Sequence, residues 1–550
     1  MPTSNPFRAS EGNFHVSSFR RLQLIQALNG TAGQIRMGLL RAWDSPVAFW
    51  INGTTSIRGD PASSGALGMH STAEVILRDA AAQSTRPTVV FVLHALPDKG
   101  CHIAGAASEL CCHYRTTVTG ERVCGRGVNA ASHVCEGLAE YKSKVVDELA
   151  SLLSEYADAL PIALVLEPDS LSVLSIKEAS PACMRPETQA AYAEGIAYAI
   201  GQVSTRAPRV ALYLAAGSGE QLGWGNRANA FVAHVAHLGP LAFRLRGFAT
   251  NIGGYQALGI PCLLGPKETL PNFCRANPHH PCCDDPCGRI ARFSSGVGEL
   301  NYVQFLEHHL RVALPGLSPR FVVDTGRNGI TISRQDCDAR CNLRAAGLGR
   351  TPTTETDLST IDAYYWLLPP GTSDGCSTAD GSLCSEPNPG CSLDDALGSR
   401  PGEASAPASG MLFIEHLRQL ATQAARSMPL TELNLDAALE HANLFSKMAG
   451  MPLVIPVRSR HQESTLANLT VGGFALVVLM ASLTAVAVKT RHCRKSALDV
   501  YNMDDEGEED EGTTCAEAQA QAPFVQPRPP PGAHAFVEDD VDDVVYRVVD

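Results

Sequence analysis

The chain is predicted to be an α/β protein built on a parallel sheet with helices outside, and three observations lead there. Seven short apolar, β-rich runs alternate with helix-period segments, most runs end in a polar residue, and one run stops abruptly at two carboxylates held by a proline. Seven such units either close into a barrel or stay open. With 550 residues, 45% of them hydrophobic and 18% charged, the chain can bury a large core. Its net charge of -13, with no Lys/Arg stripe interleaved with aromatics, disfavours nucleic acid as a partner.

In chain order the strand-like runs are Val47 to Ile51, Thr88 to Leu93, Ile162 to Glu167, Val210 to Leu214, Gly247 to Asn251, Phe321 to Asp324 and Ile361 to Trp366. Continuous apolar runs of this length suit strands buried on both faces. Helical periodicity marks Glu136 to Tyr156, Thr188 to Ser204, Tyr302 to Ala313 and Met411 to Ala425. Asn52, His94, Asp169, Asn251, Asp324 and, after a short loop, Asp374 follow the runs, so a shared mouth at the strands' C-terminal ends would collect them.

The third run, Ile162-Ala-Leu-Val-Leu-Glu-Pro-Asp169, says most about chemistry. Pro168 cannot continue a central strand, which puts Glu167 and Asp169 at the mouth. Two readings stay open at this point: a catalytic carboxylate pair, or Glu167 as a structural hydrogen-bond partner with Asp169 as an N-cap.

Beyond residue 430 the composition changes. Residues 431–465 read as a juxtamembrane stalk, and 466–488 as a transmembrane helix, with eighteen uncharged residues from Val471 to Val488. Lys489, Arg491, Arg494 and Lys495 follow at once. The positive-inside bias then places the C-terminus in the cytoplasm and residues 1–430 outside or in a lumen, a type I single-pass orientation. Residues 489–550 are acidic and proline-containing, and read as a disordered tail; its proline cluster is a solvated linker or a docking segment for an unknown partner. The N-terminus carries no clear signal-peptide h-region.

Of 18 cysteines, sixteen precede the apolar segment, alongside sequons at Asn29, Asn52 and Asn468, a set that suits an oxidising compartment. Cys274, His279, His280, Cys282, Cys283 and Cys287 form a cluster able to ligate zinc, but disulfides are the preferred reading there. No metal or cofactor is expected.

Glu167-Pro-Asp-Ser-Leu171 after an apolar strand resembles a signature of glycoside hydrolase family 6, the cellobiohydrolase II and endoglucanase family. Further matches follow in order: Leu96-Pro-Asp-Lys-Gly-Cys101, Tyr213-Leu-Ala-Ala-Gly217 with Leu222-Gly-Trp224, Leu245 to Asn251, Asp324-Thr-Gly-Arg-Asn-Gly329, Cys341-Asn342 and Ser373-Asp-Gly375. The resemblance spans about residues 5 to 427 and implies a distorted seven-stranded parallel β/α barrel that hydrolyses β-1,4-glucan with inversion. Inversion requires a carboxylic acid on the leaving oxygen and a base activating water on the opposite face. Asp169 matches the family's acid, and Asp374 the carboxylate proposed as base or part of a water relay. The family pattern pairs Cys101 with Cys183 and Cys341 with Cys391. Trp224, His94, Asn251 and Asp98 are expected to touch substrate.

The departures are equally specific. Gly100 stands where the family has a helper aspartate, His94 and Ala95 replace a tyrosine and an aspartate, and Ala215 and Ser218 replace an acid and a histidine. Gln221 and Arg340 replace sugar-stacking tryptophans, and Leu368 and Thr372 a lysine and a glutamate. A membrane-tethered glucan-binding protein with impaired catalysis is therefore the alternative expectation.

Overall fold

The computed structural model describes residues 4–427, apart from positions 10–11, 59–71, 104–107, 121, 125–133, 177–179, 266–267, 332–336, 379–383 and 385–386. The expected stalk, membrane helix and tail lie outside the described residues. Among those described, no helix is long and apolar enough to cross a membrane.

Seven strands, β1 (Phe49–Ile51), β2 (Val89–Leu93), β3 (Ile162–Leu166), β4 (Ala211–Ala215), β5 (Gly247–Thr250), β6 (Arg320–Asp324) and β7 (Ile361–Tyr365), form one sheet in sequential order. Every pairing is parallel. Each strand falls within one residue of an apolar run except β1, which starts two residues late.

Alternation along the strands separates two cores. Val89, Phe91 and Leu93 of β2 face outward into the layer shared with the helices, whereas Val90 and Val92 face inward. The inner core also takes Val165, Tyr213, Val322 and Tyr365, and Phe7 from the N-terminal arm fills it. The Phe7 ring lies 6.1 Å from that of Tyr213 and 5.8 Å from that of Tyr365.

The sheet curls without closing. β1 and β7 share no ladder, and the backbone bond between their ends runs from Ala48 N–H to the Trp366 carbonyl, 3.0 Å. The Trp50 indole N–H adds a contact to the Leu367 carbonyl, 2.7 Å. The expected barrel is thus corrected to a curled seven-stranded sheet with a seam.

Among the described residues, eight helices of ten residues or more surround the sheet: α1 (Ser18–Leu28), α2 (Gly33–Asp44), α3 (Ala73–Ala82), α4 (Asp147–Tyr156), α5 (Pro186–Arg206), α6 (Gly225–His237), α7 (Glu299–Ala313) and α8 (Ile414–Ser427). A π-helical turn, Tyr141–Val146, leads into α4 and places Tyr141 under the end of β3. Trp43 and Leu39 of α2 pack with Leu417 and Leu420 of α8 beside the seam. The two helices approach so closely at Gly38 that a Cβ there would lie 2.9 Å from that of Ala421.

The sixteen cysteines expected outside the membrane all pair: 101–183, 111–124, 112–135, 262–282, 274–283, 287–337, 341–391 and 376–384. The Cys/His cluster is therefore cross-linked by disulfides. His280 and the sulfurs of Cys262, Cys282 and Cys283 do lie within 4.8 Å of one another, but each of those sulfurs is bonded to another sulfur. A disulfide sulfur carries no thiolate for a metal.

Candidate active site

A cleft of about 1590 Å³ opens at the C-terminal ends of the strands. Asn52, His94, Asp169, Asn251 and Asp374, from both edges and the middle of the sheet, line it.

The turn after β3 is where sequence and strain meet. Glu167 and Asp169, on either side of Pro168, have φ of 47° and 55°, a left-handed conformation unusual outside glycine. Glu167 holds the first of these in place: its backbone N–H donates to the Leu93 carbonyl at 2.8 Å. Its carboxylate accepts from the N–H groups of Ala95 and Leu96 and from the Tyr141 hydroxyl at 2.8 Å. Burial pushes the Glu167 carboxyl up to about 7, against the pull of those donors and of the Lys99 charge. Fully buried and absent from the cleft wall, it is an anchor for the β2 and β3 loops. Asp169 is thereby turned into the cleft. It caps no helix, is part-exposed, and its carboxylate has no hydrogen-bond partner among the described residues.

Asp374 stands on the β7 side under opposite conditions. Arg327 donates to both carboxylate oxygens, at 2.9 and 3.0 Å, the Tyr255 hydroxyl at 2.6 Å and the Asn342 N–H at 2.8 Å. The Asn342 side-chain oxygen returns the contact to the Asp374 N–H at 2.9 Å. Arg327 is 2% exposed and Asp374 21%, so the pair is largely shielded from water. The guanidinium also lies 4.2 Å from the centre of the Tyr255 ring. Arg327 belongs to a motif visible in the sequence, but its role was not; nothing in the sequence marked Tyr255.

Asp324 was expected at the mouth but is buried below it. Its carboxylate accepts from the N–H groups of Gly253, Gly326 and Leu368, tying three loops, and burial pushes it up to about 6. Asn251 reaches the cleft, yet its amide nitrogen donates to the carbonyls of Gln256 and Asp324.

On the opposite wall, Lys99 donates to the carbonyls of Asn52 at 2.7 Å and His94 at 2.8 Å, and burial lowers it to about 8. Burial, with the Lys99 and His102 charges, drops His94 to about 3, so its ring is neutral at ordinary pH. Its Nε2 is buried without a partner and the ring meets Trp50 edge-on, centroids 5.3 Å apart.

Two residues expected to touch substrate stand elsewhere. Asp98, left-handed at φ 57°, points its carboxylate away from the cleft to the Cys112 N–H at 3.0 Å and the Thr188 hydroxyl at 2.9 Å. Trp224 is not in the cleft wall; its indole N–H donates to the Arg292 carbonyl at 2.8 Å. The substitutions noted in the sequence do concentrate at the cleft: Gly100, Ala215, Ser218, Gln221, Leu368 and Thr372 all face it. Cys101–Cys183 and Cys341–Cys391 brace its two sides.

A curled parallel sheet with a carboxylate-lined cleft at its C-terminal mouth has the architecture of an α/β enzyme. Residues 121–424 match the family model described as Glycosyl hydrolases family 6, and the chain belongs to that family. It is 33% identical over 258 residues to the 1,4-beta-D-glucan cellobiohydrolase CEL6C of Podospora anserina, covering 46% of this chain and 58% of that protein. Against Exoglucanase 3 of Agaricus bisporus it is 30% identical over 346 residues, covering 62% of this chain and 65% of the relative. The chain thus spans less than two thirds of these relatives' own length. Among solved structures, the Coprinopsis cinerea family 6 enzyme CcCel6C superposes with a TM-score of 0.57 at 25% identity, over 78% of this chain and 100% of the other. The CcCel6A catalytic domain complexed with p-nitrophenyl beta-D-cellotrioside gives 0.56 at 25% identity, over 76% and 98%.

Proposed function

We propose that this protein hydrolyses β-1,4-glucan with inversion, Asp169 serving as the general acid. The observation that carries this reading is the position of the Asp169 carboxyl, which faces the cleft on a strained turn and has no hydrogen-bond partner among the described residues. Asp374 lines the same cleft and, fixed by Arg327 and Tyr255, orients the attacking water or the chain that relays its proton. His94, neutral, and Asn251 shape the wall and floor, and Trp224 stacks on a sugar beyond the cleft wall. The names of the fungal relatives, cellobiohydrolase and exoglucanase, support the substrate class.

The experiment is anomer-resolved product analysis of the purified chain on β-1,4-glucan. Soluble sugars of α configuration, lost in Asp169→Asn, support the proposal; β products or an unaffected variant overturn it. The second reading, a glucan-binding protein without turnover, is favoured by Gly100, which leaves the acid without a helper carboxylate. It predicts no product and a glucan affinity that Asp169→Asn leaves unchanged.

We further infer a type I single-pass anchor at residues 466–488, with the described residues on the outer or lumenal side. The apolar run, its basic C-terminal flank and eight disulfides support this. Asn29 and Asn52 are exposed, as glycan carriers must be; Asn468 lies outside the described residues. Glycosidase-sensitive mass at those sites, with tail epitopes accessible only from the cytoplasm, is the expected result.

A further inference from the structure

Phe293 combines two features that folding alone does not favour. It is 62% exposed, and its φ of 60° is left-handed, which strains a bulky side chain. The segment carrying it is nevertheless held firmly. Cys287–Cys337 pins one end, and buried Arg289 joins it to Glu220 at 3.1 Å. The Ser295 N–H donates to the Gly223 carbonyl at 2.7 Å, and a Cβ on Gly223 would lie 2.5 Å from Ser294 Oγ. The strained residue is therefore fixed against the turn that bears Gln221 and Trp224.

The Trp224 indole N–H donates to the carbonyl of Arg292, the peptide group directly before Phe293. Each ring carries a guanidinium: Arg227 lies 4.7 Å from the Trp224 centroid and Arg275 3.9 Å from that of Phe293. Arg227 in turn donates to the carbonyl of Gln221, a residue of the cleft wall. Two arginine-backed aromatic rings thus lie on linked segments beside the cleft wall.

Resting on the glucan reading above, we propose that Phe293 extends the substrate site, forming with Trp224 an outer platform for the distal units of a β-1,4-glucan chain whose reacting part lies in the cleft. The apolar face of a pyranose ring stacks on the side of Phe293 opposite the Arg275 guanidinium, which backs the ring. Short ligands that fill the cleft alone do not reach it.

The test is titration calorimetry of cellotriose and cellohexaose against the full-length chain carrying Asp169→Asn to silence turnover. Phe293→Ala in that background weakens cellohexaose by about three- to tenfold, leaves cellotriose unchanged, and Phe293→Tyr restores the loss. Phe293→Gly weakens cellohexaose equally but raises the melting temperature, because glycine relieves the left-handed strain. Unchanged cellohexaose affinity in Phe293→Ala, or equal losses for both ligands, overturns the platform while the cleft reading stands. A parent that binds neither sugar removes both.

Discussion

Asp169 and Asp374 line one cleft, yet their surroundings are opposites. The first rides on a strained turn and has no hydrogen-bond partner among the described residues; the second receives four hydrogen bonds from Arg327, Tyr255 and Asn342. No described contact fixes the Asp169 carboxyl. Asp374 cannot turn without breaking several. The contrast separates a carboxyl left free in the cleft from one held in position.

That contrast can be broken most directly at the free carboxyl. Asp169→Asn should lower sugar release by about 10²–10⁴-fold while leaving the melting temperature unchanged. At the held carboxyl the order reverses, with stability suffering first. Arg327→Leu strands a largely buried charge and should destabilise the fold by about 3–5 kcal/mol, read by denaturant unfolding; adding Asp374→Leu should recover most of that loss. Tyr255→Phe removes one charged hydrogen bond and should cost about 1.5–3 kcal/mol, with no fall in glucan binding. Gly100→Asp sharpens the comparison from the acid's side. Its φ of 69° is one that aspartate tolerates better than most residues, and a restored helper should raise the rate of sugar release about tenfold or more.

The smallest effect on activity is expected at Glu299, which lies outside the cleft wall. Burial pushes its carboxyl from near 4.5 up to about 8, although the Gly219 N–H and Thr250 pull it down. Between those values the folded chain holds a proton that the unfolded chain releases, so this group's contribution to stability falls as pH rises. The wild-type melting temperature should therefore drop more between pH 5 and pH 8 than that of Glu299→Gln.

All seven strands were legible because each is a short apolar run, most of them with a polar stop. Helix α1 was not, since Arg20 and Arg21 interrupt its stripe; Arg20 is buried and donates to the Pro370 carbonyl at 2.6 Å, a contact across the chain that no local pattern shows. Asp98 reads like a cleft residue because it sits in the Leu96-Pro-Asp-Lys-Gly-Cys101 motif, but the left-handed turn at that position sends its carboxylate to Thr188. Arg327 sat in a recognised motif, but its partner lies 47 positions away. The open seam was likewise invisible, since each strand's pattern is the same whether or not its far neighbour pairs with it.

That seam has a mechanical meaning. Neighbouring strands elsewhere are stitched along most of their length, whereas the join between β1 and β7 is a single stitch at Ala48, reinforced by the Trp50 indole. Local opening costs least where fewest bonds must break together, so the Ala48 amide should be among the fastest of the sheet to exchange its hydrogen. Because Phe49 and Trp50 on one lip and Leu368 on the other border the cleft, a polymer lying across both lips would act as a clasp on a split ring.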